Sequence, residues 1–136
     1  MSRKTARETA MKMVYGRSFG CEDAYDTVLE ISGADTAADQ KDIDFANSLV
    51  DGVMEHKEEI DSNISGASSG WTVERMPMVD LSILRIAVYE LMFDKRAPKK
   101  VIINEAVRIA TRYGGEDSPR FINGVLGTIA RADADN

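Results

Sequence analysis

Hydrophobic residues recur along the chain at the spacing of amphipathic helices, and one stretch is apolar on nearly every side. From Val79 to Phe93, eleven of fifteen residues are Ala, Leu, Ile, Val, Met, Phe or Tyr. A helix that is apolar all round is a buried helix. This one is too short, and too interrupted by charges, to span a bilayer. The pattern therefore predicts that residues 79–93 form the central helix of a small helical domain.

Helical periodicity predicts further helices on both sides of this segment. Three helices precede the break GASSG at residues 66–70: one following Ser2, one over residues 23–31, and one from Asp39 or Asp42. Residues 58–64 either continue the third helix or form a fourth after a bend near His56. Two follow the central helix, at residues 101–113 and from Ser118-Pro119 onward. In the last helix, Gly124 and Gly127 predict a close approach of another helix, because glycine is costly in a helix interior.

The predicted fold class is therefore all-α, a compact bundle of about seven helices. Its 136 residues suit a single domain. We expect an N-terminal helical subdomain at about residues 1–66 and a C-terminal one at about 71–132. Trp71, directly after the break, is interpreted as an aromatic lid over the join between them, with stacking on a nucleic-acid base as the alternative.

Composition narrows the functional classes. Hydrophobic residues at 43% and charged residues at 29% are typical of a soluble globular protein. Cys21 is the single cysteine, so neither an intramolecular disulfide nor a cysteine-based metal site is expected, and a reducing cytoplasm is the expected location. The chain shows no apolar run typical of a signal peptide. We also find no phosphate-binding glycine loop, metal-ligand cluster or nucleophile–base arrangement, so we expect a binding protein without catalytic residues, metal or cofactor.

Charge is distributed unevenly along the chain. Residues 1–21 carry five basic residues and one acidic residue, whereas residues 22–61 carry thirteen acidic and two basic ones. Arg3 and Arg7 are four residues apart and should share one exposed face at the start of the first helix, with Lys4 beside them. Cations there oppose the helix dipole, which favours a role in binding an external anion. Lys4, Glu8 and Lys12 have the spacing of a solvated salt-bridge ladder, which is the alternative for those lysines.

Several segments together carry a family resemblance. They are RKTARETAMKMVY at the start, FANSLVDGV, EID, VDLSILRIAVYEL and INEAVRIATRYGGEDSPRFINGVL. In combination these segments resemble the NusB family of bacterial transcription antitermination factors over nearly the whole chain. Only the acidic region around residues 20–40 is individual. The resemblance implies an all-α fold of two helical bundles. It also implies binding to boxA-type single-stranded RNA together with the ribosomal protein NusE, within the RNA polymerase antitermination complex.

The resemblance also implies site residues. For RNA binding they are Arg3, Lys4, Arg7, Asp117, Ser118 and Phe121, and for the NusE surface they are Tyr15, Glu74 and Asp80. Phe121 would either stack on an unpaired base or fill the core. Family members often carry three or four consecutive arginines, whereas Thr5 interrupts the basic run here, which predicts low RNA affinity without a partner protein.

Two alternatives remain open at this point. A domain similar to NusB forms the N-terminal part of certain ribosomal RNA cytosine methyltransferases, an interpretation that requires a catalytic domain beyond Asn136. A helical adaptor that binds only protein would keep Glu74 and Asp80 at an interface and leave Arg3 and Arg7 as solubilising charges. The sequence leaves open whether the free protein is a monomer or a homodimer.

Overall fold

The computed structural model describes residues 3–21 and 39–133 of the chain. Within them lie six α-helices: α1 (Arg3–Arg17), α2 (Gln40–Glu55), α3 (Lys57–Ala67), α4 (Met78–Tyr89), α5 (Lys99–Tyr113) and α6 (Ser118–Ala132). A 3₁₀ turn (Val73–Arg75) precedes α4, and a π-helical turn (Glu90–Asp94) continues it. The described residues contain no strand, which confirms the all-α class. The helix predicted over residues 23–31 lies outside the described part.

Helix α4 is the centre of the molecule, as its composition predicted. Every residue from Asp80 to Val88 is buried, and α4 contacts each of the other five described helices. Each fully buried Leu, Ile or Val side chain contributes about 1.5–3 kcal/mol relative to an exposed one. The apolar surface on all sides of α4 is therefore what draws the surrounding helices together.

The outer helices supply one apolar face each to a shared core. In α6 the buried face consists of Ile122, Val125, Leu126 and Ile129, at the spacing of one helix stripe. Helices α1 and α2 pack on each other and on α4, and α5 and α6 likewise pack on each other and on α4. None of the helices described is long and apolar enough to cross a membrane.

His56 separates α2 from α3, as the predicted bend required. It is the C-cap of α2, and its backbone N–H donates to the Gly52 carbonyl at 3.0 Å. Its imidazole stacks on the Phe93 ring, with 4.1 Å between centroids. His56 therefore closes one helix and packs against the end of the central one.

The closest helix approach lies at Gly52 rather than in the last helix. A Cβ atom on Gly52 would fall 2.1 Å from Cζ of Tyr89, so α2 and α4 meet where only a hydrogen atom fits. Gly124 is exposed and has open space around it, and a Cβ on Gly127 would meet only the flexible end of Arg131. The predicted close approach at Gly124 and Gly127 is therefore wrong.

Candidate nucleic-acid interface

The exposed basic end of the chain is formed by Arg3 and Lys4 at the start of α1. Both residues are exposed. The Arg3 guanidinium lies over the Phe45 ring, 4.1 Å from its centroid, and donates to the Lys41 carbonyl at 3.3 Å. Its side chain remains 48% exposed and is 3.8 Å from the Asp42 carboxylate. Arg3 is thus oriented by an aromatic ring while still facing solvent, where it can meet a phosphate group.

Arg7 is not on that exposed face, so the predicted exposure of this residue is wrong. Its Nε and Nη2 atoms each donate to the Glu90 carboxylate at 2.9 Å, and the Arg7 side chain is 8% exposed. Glu90 lies 83 residues away in sequence, at the end of α4. The geometry is a bidentate buried ion pair that fastens α1 to the central helix.

The salt-bridge ladder along α1 is also replaced by contacts between helices. Glu8 is buried, and its carboxylate accepts a hydrogen bond from Arg112 of α5 at 2.9 Å and lies 3.5 Å from Arg108. The Lys12 ammonium lies 4.9 Å from the centroid of the Tyr113 ring. Lys4 makes no ion pair with any residue in the described ranges. The contacts of Glu8 and Lys12 with α5 therefore leave the Lys4 charge available to an external ligand.

The second group of predicted RNA contacts lies where α6 begins. Ser118 donates its hydroxyl hydrogen to Asp80 Oδ1 at 2.7 Å and accepts the Gly115 N–H at 2.9 Å. Ser118 and Asp80 are both buried, at 6% and 5% exposure, whereas Asp117 is exposed. Burial raises the pKa of the Asp80 carboxyl, and the Ser118 hydrogen bond offsets part of that rise. The Asp80–Ser118 bond therefore fixes the turn that presents Asp117.

Phe121 forms a surface aromatic pair with Trp71. Its ring is partly buried against the core, and the Trp71 ring meets it edge-on with 6.4 Å between centroids. Trp71 is 51% exposed, so its interpretation as a lid over the join is wrong. An exposed indole beside a half-buried ring offers a stacking surface for an unpaired base.

The predicted partner residues occupy different environments. Tyr15 is 38% exposed and Phe19 is 65% exposed. Their rings pack against each other with 5.0 Å between centroids. Glu74 is exposed in the 3₁₀ turn, whereas Asp80 is buried beneath the start of α6. Sequence reasoning missed Phe19, which lies in the turn after α1 and folds back onto Tyr15.

Comparison with known proteins identifies the fold and its relatives. The model described as the NusB family matches residues 4–131. The transcription antitermination protein NusB of Geobacter sulfurreducens is 48% identical over 132 residues, covering 95% of this chain and 94% of the relative. The solved NusB of T. maritima is 35% identical with a TM-score of 0.83, covering 96% of this chain and 92% of that one. A structure described as antitermination factors NusB and NusE in complex with dsRNA is 30% identical, with a TM-score of 0.80 and 96% coverage of both chains.

Proposed function

Because the chain belongs to the NusB family, we propose that it is a transcription antitermination factor that binds boxA-type RNA together with the ribosomal protein NusE. The observation that carries this proposal is the match to NusB over nearly the full length of both chains. The solved NusB–NusE complex with RNA supports both partners. The relatives named above are antitermination proteins rather than enzymes, and their length leaves the methyltransferase alternative without support.

The RNA surface combines a phosphate contact with a base contact. Arg3 and Lys4 meet phosphate groups, since both charges face solvent at the start of α1. Phe121 and Trp71 stack on an unpaired base, while the exposed Asp117 carboxylate accepts a hydrogen bond from a base amino group. Stacking of this kind requires an unpaired base, which agrees with the single-stranded boxA-type RNA that the family resemblance implies.

Buried residues in the predicted RNA set act by positioning the exposed ones. Arg7 holds the start of α1 against α4 through Glu90. Ser118 holds the turn before α6 through Asp80. We assign both residues a supporting role at the RNA surface.

The surface for NusE consists of exposed aromatic and acidic side chains. Tyr15 and Phe19 supply the aromatic part and Glu74 supplies a carboxylate that suits a basic ribosomal protein. Asp80 does not belong to this exposed surface, because its carboxylate is buried and already accepts the Ser118 hydroxyl at the start of α6.

The proposal also includes two helical subdomains, a seventh helix and a location in the cytoplasm. The division into subdomains at about residues 1–66 and 71–132 is supported by the turn at Ser69 and Gly70, which both have positive φ. With a seventh helix over residues 23–31, the chain would have the predicted count of about seven. A role in transcription places the protein in the cytoplasm, in a complex that contains RNA polymerase.

Titration of a labelled boxA-type RNA into the protein, with and without NusE, tests the proposal. Replacing Arg3 and Lys4 by Ala should weaken RNA binding about tenfold. It should also reduce the slope of log K against log salt by about 1.4, because two phosphate contacts are lost at about 0.7 each. Lys57→Ala with Arg131→Ala is the matched control, since it removes the same charge from exposed positions elsewhere.

The control variant should keep the wild-type slope. Equal slopes in both double variants would remove the proposed phosphate contact at Arg3 and Lys4. NusE binding without any RNA binding by the wild-type chain would instead favour the protein-only adaptor.

A further inference from the structure

An open pocket of about 420 Å³ lies beside the basic end of α1. It is bounded by the starts of α1, α2 and α5 and by the connection that follows the π-helical turn. We name it the Phe45 pocket; its lining residues are Arg3, Arg7, Phe45, Glu90, Arg96, Ala97 and Val101. Four separate segments therefore converge on one surface depression next to the proposed RNA contact at Arg3.

Arg96 is held in a fixed orientation at the mouth of this pocket. Its Nη2 atom lies 2.6 Å from Asp94 Oδ2 and 3.2 Å from the Ser48 hydroxyl oxygen, and its Nε donates to Asp94 at 2.9 Å. Nη1 makes no hydrogen bond to the described residues. The side chain is 57% exposed. Arg96 thus presents free N–H donors to solvent without losing side-chain entropy when a ligand arrives.

Phe45 organises three guanidinium groups around one ring. The Cζ atoms of Arg3, Arg7 and Arg96 lie 4.1, 5.3 and 5.1 Å from the ring centroid. A cation over an aromatic face is attracted by the ring quadrupole. The ring therefore brings the two exposed arginines, Arg3 and Arg96, to the same pocket although they are far apart in sequence.

The carboxylates near the pocket are less exposed than its cations. The side chains of Glu90, Asp94 and Asp42 are 2%, 5% and 11% exposed, whereas those of Arg3 and Arg96 are 48% and 57% exposed. These three carboxylates equal the three guanidinium groups in number, but they are shielded from solvent and the guanidinium groups of Arg3 and Arg96 are not. A ligand that enters from solvent therefore meets mainly N–H donors.

We propose that the Phe45 pocket binds a phosphate group of the same RNA, with Arg96 and Arg3 as its donors. This inference rests on the proposed function, because Arg3 is both a proposed RNA contact and a lining residue of the Phe45 pocket. Planar guanidinium groups match the geometry of phosphate oxygens. The side chains of Ala97 and Val101, the latter 42% exposed, form an apolar wall suited to the adjoining ribose.

The test measures binding of a labelled single-stranded boxA-type RNA to the full chain in the presence of NusE, over a range of salt concentrations. Arg96→Gln should weaken binding three- to tenfold and lower the salt slope by about 0.7, the loss of one phosphate contact. Arg131→Gln is the control, because Arg131 is exposed and its side chain makes no ion pair with the residues that the structure describes. Arg96→Lys keeps the charge and should restore the salt slope.

The outcomes separate this inference from the function on which it rests. If the wild type binds RNA, and Arg96→Gln has the same RNA affinity and salt slope as Arg131→Gln, the proposed phosphate site is overturned and the proposed function is left intact. A salt slope that Arg96→Gln leaves at the wild-type value would exclude a phosphate contact at this position. A wild-type chain that binds NusE but no RNA would overturn both proposals. Unfolding curves of each variant separate a loss of RNA binding from a loss of stability, because Arg96→Gln also removes the ion-pair partner of the buried Asp94 carboxylate.

Discussion

At the scale of single residues, the buried pair of Arg7 and Glu90 ties the functional end of the chain to its core. Both side chains lose most of their hydration, and the bidentate contact compensates for that loss. Removing one partner leaves the other charge buried and unpaired. Loss of RNA binding in an Arg7 variant would therefore not distinguish damage to the fold from loss of an RNA contact.

We predict that Arg7→Ala lowers the free energy of unfolding by about 3–5 kcal/mol, measured by urea denaturation. Replacing both partners, Arg7→Met with Glu90→Leu, should recover most of that loss because no buried charge remains. The RNA affinity of this double variant then reports whether Arg7 touches RNA. A stable Arg7→Ala variant would contradict the structural role of the pair.

The Asp80 carboxyl gives a pH-dependent prediction. Its raised folded pKa means that the folded chain holds this proton more tightly than the unfolded chain, so ionisation of Asp80 costs stability as pH rises through the folded pKa. Asp80→Asn should be more stable than the wild type at pH 7, since the amide oxygen still accepts the Ser118 hydroxyl. The two should converge as the pH falls toward 3.8, the ordinary pKa of an aspartate carboxyl.

Asp80→Ala supplies the control for that measurement. It removes the acceptor of the buried Ser118 hydroxyl and should cost about 1–3 kcal/mol at neutral pH. Urea denaturation between pH 4 and pH 7 distinguishes the two variants. A difference between wild type and Asp80→Asn that does not change with pH would show that the carboxyl does not titrate in this way.

The sequence shows which side chains are basic or aromatic, but residue spacing did not predict where each of them points. The distance from Lys4 to Glu8 and Lys12 fits a ladder, yet Glu8 turns toward α5, because Arg108 and Arg112 are closer partners in the folded chain. The sequence around Arg7 is typical of an exposed residue, because its partner Glu90 lies 83 residues away. Such partners are set by helix packing, which local sequence does not encode.

At the scale of elements, α4 could be predicted from sequence because its apolar residues surround the helix. The helices around it were predicted from their apolar stripes. Helix α6 begins at Ser118 with Pro119 in its first turn, but its N-cap residue is Asp117 rather than Ser118. The crossing of helices could not be predicted in the same way. Gly124 and Gly127 have the sequence signal for a close approach, yet Gly52 is the residue that meets Tyr89.

The crossing at Gly52 can be tested with a matched pair of variants. Gly52→Ala should lower the free energy of unfolding by about 1–3 kcal/mol, because its methyl group would overlap the Tyr89 ring. Gly66→Ala, in α3 with open space around it, should instead raise stability by up to about 1 kcal/mol through helix propensity. Thermal or urea unfolding measures both. A neutral Gly52→Ala would mean that the two helices separate easily.

At the scale of the whole molecule, the resemblance predicted the fold and the ligands better than the composition did. A net charge of −6 argues against nucleic-acid binding until the five basic residues among the first 21 are considered separately. The residues predicted to bind RNA divide in the structure into exposed ones and buried ones. The Phe45 pocket was not predicted, because Phe45 and Arg96 are brought together only by the packing of four segments.

We predict that RNA and NusE bind cooperatively, with a coupling of about 1–3 kcal/mol that is the same whichever ligand is added first. Glu74→Lys should weaken NusE binding about tenfold and lower RNA affinity only when NusE is present. Glu74 suits this test better than Asp80, because a lysine at the buried Asp80 would disturb the fold. Glu55→Lys is the control at another exposed site. Calorimetric titrations in both orders measure the coupling, and equal RNA affinities with and without NusE would exclude it.

The π-helical turn Glu90–Asp94 also sets the rotational phase of everything that follows it. Its wider ring is closed by the Lys95 N–H, which donates to the Glu90 carbonyl at 2.8 Å. Deleting one residue, such as Met92, would turn the downstream chain by about 100° and shift it by about 1.5 Å. Asp94 and Arg96 would then leave the Phe45 ring, while Glu90 would stay beside Arg7. This turn should consequently accept no change in its length, even where Glu90 and Asp94 are kept.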